Sequence, residues 1–219
     1  MAQDWIAVTA YTIDTPYEQE VKGLISGLEE HGVEYSLVGY KSVGDWRKNC
    51  QNKQKFIIDT LRKGNRPVVW LDADARLRAY PKLFDNYPCD VGLYKRLHTS
   101  KQKAQLNGSQ YHWESGTMYY KPTGDVFEFL ECQMKLFEMF DAGQFSIWPE
   151  TAWFIDHFNS GVFNNGDIRF VVGELPVTYS YIQDTTHPDE TPFKDDAVII
   201  HTQASRRWKD EICRIYSTL

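Results

Sequence analysis

Cysteine is scarce in this chain and poorly spaced for binding a metal. Its four residues, Cys50, Cys89, Cys132 and Cys213, lie far apart with no CxxC pair. That excludes a zinc ribbon and the disulfide frame of a small secreted domain, and points to free thiols in a reducing compartment. No apolar run is long enough to span a bilayer, and the N-terminus lacks a basic and then apolar signal pattern. The expectation is a complete, cytoplasmic chain. Excess positive charge is missing too. Lys and Arg number 24 against 30 Asp and Glu, a net charge of −6, which argues against wrapping a nucleic-acid duplex over the whole surface. There is no internal repeat, low-complexity tract or interior linker, so one domain over 1–219 is expected.

Aromatic residues, by contrast, are plentiful. The 7 Trp, 13 Tyr and 12 Phe suffice for a sizeable core and leave rings for stacking on ligands. Residues 5–12 predict a first strand. Thr15-Pro16-Tyr17-Glu18 is a helix start with Thr15 as N-cap, Pro16 in the first turn and Glu18 closing a capping box. Val21, Leu24, Ile25 and Leu28 continue at helical spacing until Gly32. Val33 to Tyr40 reads as a second strand, Asp45 as the cap of a second helix ending at Gly64-Asn65, and 66–72 as a third strand. This β-α-β-α-β order predicts parallel strands with right-handed crossovers. Further strands are expected at 90–94, 115–120, 170–172, 176–181 and 197–200, with helices over 125–142 and 150–158. Residues 95–111, carrying Lys95, Arg96, Lys101 and Lys103, and residues 187–196 read as long loops.

The third strand, Val68-Val69-Trp70-Leu71, ends in Asp72-Ala73-Asp74. Open α/β sheets bind ligands beyond the carboxyl ends of their strands. Two carboxylates placed there suit Mg²⁺ or Mn²⁺, which keep open positions for phosphates. An EF-hand loop beginning at Asp72 fails, because Arg76, Leu77 and Leu83 stand where Asp/Asn, Gly and Glu are required. A phosphatase pair would follow the first strand, not the third. A plain strand cap remains open on this motif alone. A sugar nucleotidyltransferase needs a glycine-rich loop soon after strand one, whereas Thr12-Ile13-Asp14-Thr15-Pro16 has no glycine. Arginine's planar fork suits phosphate, and Tyr11 follows the first strand, where it can stack on a base or simply edge the core. Trp113, Trp148 and Trp153 are candidates for a sugar platform or for packing.

Taken in order, five segments resemble the GT-A fold glycosyltransferases that use nucleotide sugars. They are the DxD strand, the basic helix with Lys53 and Lys55, Ser115-Gly116-Thr117-Met118-Tyr119-Tyr120, Glu150-Thr151-Ala152-Trp153-Phe154, and the tail His201 to Lys209. The tail is similar to the HxxGxxKPW of family 8-like retaining enzymes, with Ala204 in place of Gly and Arg207-Trp208 in place of Lys-Pro. The resemblance implies a single α/β domain of GT-A, Rossmann-like form, with a mostly parallel central sheet flanked by helices. Residues 1–94 would bind the nucleotide sugar and 95–219 the acceptor. It implies Mn²⁺ or Mg²⁺ held by Asp72, Asp74 and His201, and a donor diphosphate contacted by Lys53, Arg206, Arg207 and Lys209, with Tyr11 at the base. Glu150 is the implied acceptor-side carboxylate, with Glu114 and Asp156 in reserve. The implied partners are a nucleoside-diphosphate sugar and a hydroxyl-bearing acceptor (a glycan, a glycoconjugate or a modified nucleic-acid base), and the tail leans towards retention. A non-catalytic sugar- or nucleotide-binding module of the same fold is the alternative from another class.

Overall fold

The computed structural model describes residues 3–97, 111–144, 161–183, 193–208 and 210–211. Its opening follows the expected order: β1 (Ile6–Thr12), α1 (Pro16–Glu30), β2 (Tyr35–Tyr40), α2 (Trp46–Gly64) and β3 (Val68–Leu71). Local chemistry sets the boundaries. Thr15 caps α1 by accepting the Tyr17 N–H at 3.3 Å, whereas Glu18 reaches past it to the Asp14 N–H, so the capping box is only half formed. Asp45 caps α2 by accepting the Lys48 N–H at 2.9 Å, and Asn65 closes that helix in the left-handed region at φ 44°.

Beyond β3 lie β4 (Ala75–Leu77), β5 (Val91–Leu97), β6 (Tyr111–Tyr120), α3 (Gly124–Asp141), β7 (Val162–Asn165), β8 (Ile168–Glu174), β9 (Tyr181–Ile182), β10 (Ile199–His201) and the short α4 (Ala204–Arg207). The main sheet has seven strands in the order β2-β1-β3-β6-β5-β8-β7. Strands β1, β2, β3, β5 and β8 run one way, and β6 and β7 run against them. The sheet is therefore mostly parallel, as expected, with β6 inserted antiparallel beside the DxD strand.

Both faces are covered, which explains the unbroken apolar run of β3. Val68 and Trp70 pack with Ile57 and Leu61 of α2 and Phe129 of α3, while Val69 and Leu71 face Leu24 and Leu28 of α1. Phe129, Phe163 and Phe170 close the first layer, with centroids 4.8–5.1 Å apart.

Several expectations need correction. Lys95 and Arg96 belong to β5 and Tyr111 already starts β6, so both ends of the expected 95–111 loop are strand, and residues 98–110, with Lys101 and Lys103, lie outside the described residues. Residues 176–181 form a 3-10 turn over Val177–Tyr179 followed by β9, because Pro176 accepts the Tyr179 N–H at 2.9 Å and curls the chain. The helix expected at 150–158 and most of the loop 187–196 fall outside the described residues. A second sheet, ordered β4-β10-β9, was not expected, since β4 is three residues long and finds its partner far along the chain.

Candidate functional site

Pairing between β10 and β4 builds the site. These strands run antiparallel with His201 opposite Ala75, and β4 begins one residue after Asp74. The end of the chain is thereby laid against the DxD. The Asp74 main-chain oxygen accepts the Thr202 N–H at 3.3 Å and the Thr202 hydroxyl at 3.2 Å, and one carboxylate oxygen accepts the Ala204 N–H at 2.8 Å. Asp74 thus satisfies an orphan donor at the start of α4.

The His201 ring is 3% exposed. Its Nε2 shares a hydrogen with Thr117 Oγ1 at 2.8 Å. Its Nδ1 is buried with no hydrogen-bond partner among the described residues and stands 3.6 Å from Asp74 Oδ1, beyond hydrogen-bond reach. Gly116 makes this packing possible, because a Cβ there would meet the ring at 2.9–3.1 Å. The glycine of the Ser115-Gly116 pair is therefore a space requirement of the histidine.

Asp72 is held from the other side. Its N–H donates to the Gly116 carbonyl at 2.8 Å, and its Oδ1 accepts the Trp70 indole N–H at 2.7 Å. Lys53 Nζ lies 3.2 Å from the same oxygen, donates to the Ser115 carbonyl at 3.0 Å, and sits 5.4 Å from the Trp70 ring centre. Burial pushes the Asp72 carboxyl up. Lys53 pulls it down and the Asp74 charge pushes it up again, and the balance stays above the ordinary value. Even so, 39% of its side chain faces the cleft. Burial also works to raise Asp74, but His201, the Ala204 N–H and Arg76 outweigh it and hold that carboxyl below its ordinary value.

These residues floor a cleft of about 210 Å³ whose wall carries Tyr11, Tyr17, Tyr40, Asn49, Cys50 and Trp70. The structure brings Tyr11, Lys53, Asp72 and Asp74 together there, while His201 is buried beside Asp74 and does not line the cleft. Ser205 of α4 lines the cleft, and its neighbour Arg206 is exposed. Arg207 turns to Thr202 and to Glu20 of α1. Glu114 pairs at 3.4 Å with Arg96, which is 2% exposed. Trp113 lies in the core and is no platform. Glu150, Asp156, Trp148, Trp153 and Lys209 lie outside the described residues. Sequence reasoning missed Thr117, Trp70, Tyr17, Tyr40 and Asn49, although Thr117 sat inside a segment it had singled out.

Glu20 was missed altogether. It is 4% exposed and accepts from Arg76 at 2.7 Å, Trp208 at 2.9 Å and Arg207 at 2.9 Å. Burial alone would raise its carboxyl, but these donors outweigh it and hold it below the ordinary 4.5. A carboxyl depressed on folding contributes stability that is complete above its unfolded pKa and is lost as pH falls through the folded one. Thermal unfolding followed from neutral pH downward is expected to fall less steeply in Glu20→Gln than in the wild type. Equal slopes would mean that the three donors do not act on this carboxyl.

No protein-family model matches the chain, and no curated protein sequence matches it. Solved structures do. A glycosyltransferase involved in glycosylation of the major capsid of PBCV-1 superposes with a TM-score of 0.62 at 12% identity, over 98% of this chain and 99% of that one. Glycosyltransferase GlyE of Streptococcus pneumoniae gives 0.55 at 11% identity, over 97% of this chain and 62% of that one. Mouse xyloside xylosyltransferase 1 gives 0.50 at 10% identity, over 92% and 98%. With a seven-stranded sheet carrying an antiparallel strand beside the DxD, and superposition over nearly all of its own length on these structures, the chain has the GT-A glycosyltransferase fold.

Proposed function

We propose that the chain is a metal-dependent glycosyltransferase, a single domain that moves a sugar from a nucleoside-diphosphate sugar to an acceptor hydroxyl, with retention. One observation carries the reading. His201 Nδ1 is buried without a hydrogen-bond partner among the described residues, facing a carboxylate oxygen 3.6 Å away. In the neutral tautomer that carries its proton on Nε2, toward Thr117, Nδ1 would present a lone pair to a second lone-pair donor. A cation between them would relieve that opposition; of the two expected ions, Mn²⁺ suits the mixed imidazole–carboxylate pair, and Mg²⁺ would be held by the carboxylates.

Among the described residues no group of three or more His, Cys, Asp or Glu forms a ready metal cage. The proposed cation is therefore one bound by only one or two side chains and completed by substrate phosphates. Asp74 and His201 would hold it, with the cleft-facing part of Asp72 beside them. When bound, it supplies Lewis-acid stabilisation of the departing diphosphate.

The chain's own groups do the rest. Lys53 and Trp70 fix the Asp72 carboxylate, and the hydrogen bond to Thr117 orients the His201 ring. Tyr11 with Tyr17 and Tyr40 offers aromatic faces to the base, and exposed Arg206 is the guanidinium assigned to the diphosphate. Glu150 is the acceptor-side carboxylate of this reading, with Asp156 and Glu114 in reserve. The PBCV-1 and pneumococcal proteins are named as glycosyltransferases and the mouse protein as a xylosyltransferase, which supports the reaction class without naming the sugar.

The test is release of nucleoside diphosphate from UDP-, GDP-, ADP-, CDP- and TDP-sugars with Mn²⁺. Release from one donor, abolished by EDTA, is expected. Release from none, with no Mn²⁺-dependent thermal shift by any nucleotide, would overturn the reading. Nucleotide binding without turnover would leave a binding module of the same fold.

A further inference from the structure

Glu20 lies in α1 outside the lining of the cleft, yet it is buried and engages three donors at once. Burying an anion is costly unless it is paired, so its three donors fix where it sits. Arg76 comes from β4, two residues after Asp74, and Arg207 and Trp208 come from the end of α4. Arg207 also donates to the Thr202 carbonyl at 3.0 Å and hydroxyl at 2.7 Å, and Thr202 itself bonds to Asp74. A closed ring therefore runs from Glu20 through Arg76 to β4 and Asp74, and back through Thr202 and Arg207.

Helix α1 is shaped for this ring. At Gly23 a Cβ would run into the Arg76 guanidinium, and at Gly27 it would press on Leu77 at 3.1 Å. Two glycines four residues apart let β4 and its arginine lie against the helix. Asp74 holds α4 at its start through the Ala204 N–H, and Glu20 holds its end.

We infer that Glu20 is a positioning residue for the metal pair: by anchoring β4 and the end of α4 together, it sets the separation of Asp74 and His201. The inference rests on the reading of Asp74 and His201 as metal ligands. It predicts that Glu20 governs how much Mn²⁺ improves nucleotide binding, and leaves the base-binding wall of Tyr11, Tyr40 and Asn49 untouched.

The experiment measures UDP, GDP, ADP, CDP and TDP affinity by calorimetry with and without Mn²⁺, for wild type, Glu20→Gln and Trp208→Phe. The readout is the ratio of the two affinities. In Glu20→Gln this ratio is expected to fall about tenfold or more, as outer-shell partners of metal sites do, while affinity without Mn²⁺ stays at the wild-type value. Trp208→Phe removes one donor and keeps the ring, so it should give a smaller fall in the same direction. It decides the matter if Glu20→Gln does not fold. A lowered melting temperature with an unchanged ratio would make Glu20 merely structural and overturn the inference. A wild type whose affinity ignores Mn²⁺ for every nucleotide would overturn the underlying metal reading, and the inference with it.

Discussion

Replacing Asp74 with alanine is expected to abolish Mn²⁺-dependent release of nucleoside diphosphate from the donor. The side chain serves twice. Its Oδ2 accepts the Ala204 N–H at 2.8 Å, and its Oδ1 faces the buried His201 nitrogen at 3.6 Å. Truncation removes an anionic ligand and also orphans an N–H at the start of α4. Loss of one preorganised charge-stabilising group costs about 10²–10³ in turnover, and loss of a capping acceptor costs about 1 kcal/mol of stability. Asp74→Asn separates the two roles. It keeps an oxygen for the Ala204 N–H and gives up the charge, so it should melt close to wild type while releasing no more product than Asp74→Ala. Turnover near wild type in Asp74→Asn would mean that the carboxylate serves α4 alone.

Gly116→Ala should be the most damaging single-methyl change at the site. The added carbon would lie 2.9 Å from His201 Cε1, 3.0 Å from Nδ1 and 3.1 Å from Nε2. Neither side can yield easily. The ring is buried and tied to Thr117, while β6 is pinned by its register with β3 and by the Asp72 N–H on the Gly116 carbonyl. Overpacking of this kind costs about 1–3 kcal/mol. The displaced imidazole should also weaken Mn²⁺-dependent nucleotide binding by about tenfold or more. Urea unfolding and calorimetry read the two effects separately. A variant with wild-type stability and Mn²⁺ response would show that the ring has room elsewhere and that Gly116 is not its cradle.

Much of the first half of the fold was legible because it is locally encoded. Thr15-Pro16 and Asp45 start their helices where the sequence places them, and Asn65 ends one with a backbone conformation it tolerates. The uninterrupted Val68-Val69-Trp70-Leu71 announces a strand covered on both faces, with two carboxylates just past its end. Each signal spans a few residues and needs no knowledge of the rest of the chain.

Other features were decided at long range. Strand β4 has three residues and no period of its own; it exists because β10 pairs with it, and Asp74 and Ala204 are 130 residues apart in sequence. Glu20 sits on an amphipathic helix where a glutamate ordinarily faces water, and only the arrival of Arg76, Arg207 and Trp208 makes its burial affordable. Arg96 read as part of a long polar loop and Trp113 as either a sugar platform or packing, and β5 and β6 carry both inward by register. The sequence by itself determined the β-α-β-α-β opening and the acidic strand end, because spacing and caps act between neighbours. Only the tertiary structure decided what faces Asp74, because strand register and the pairing of buried charge depend on partners distant in the chain.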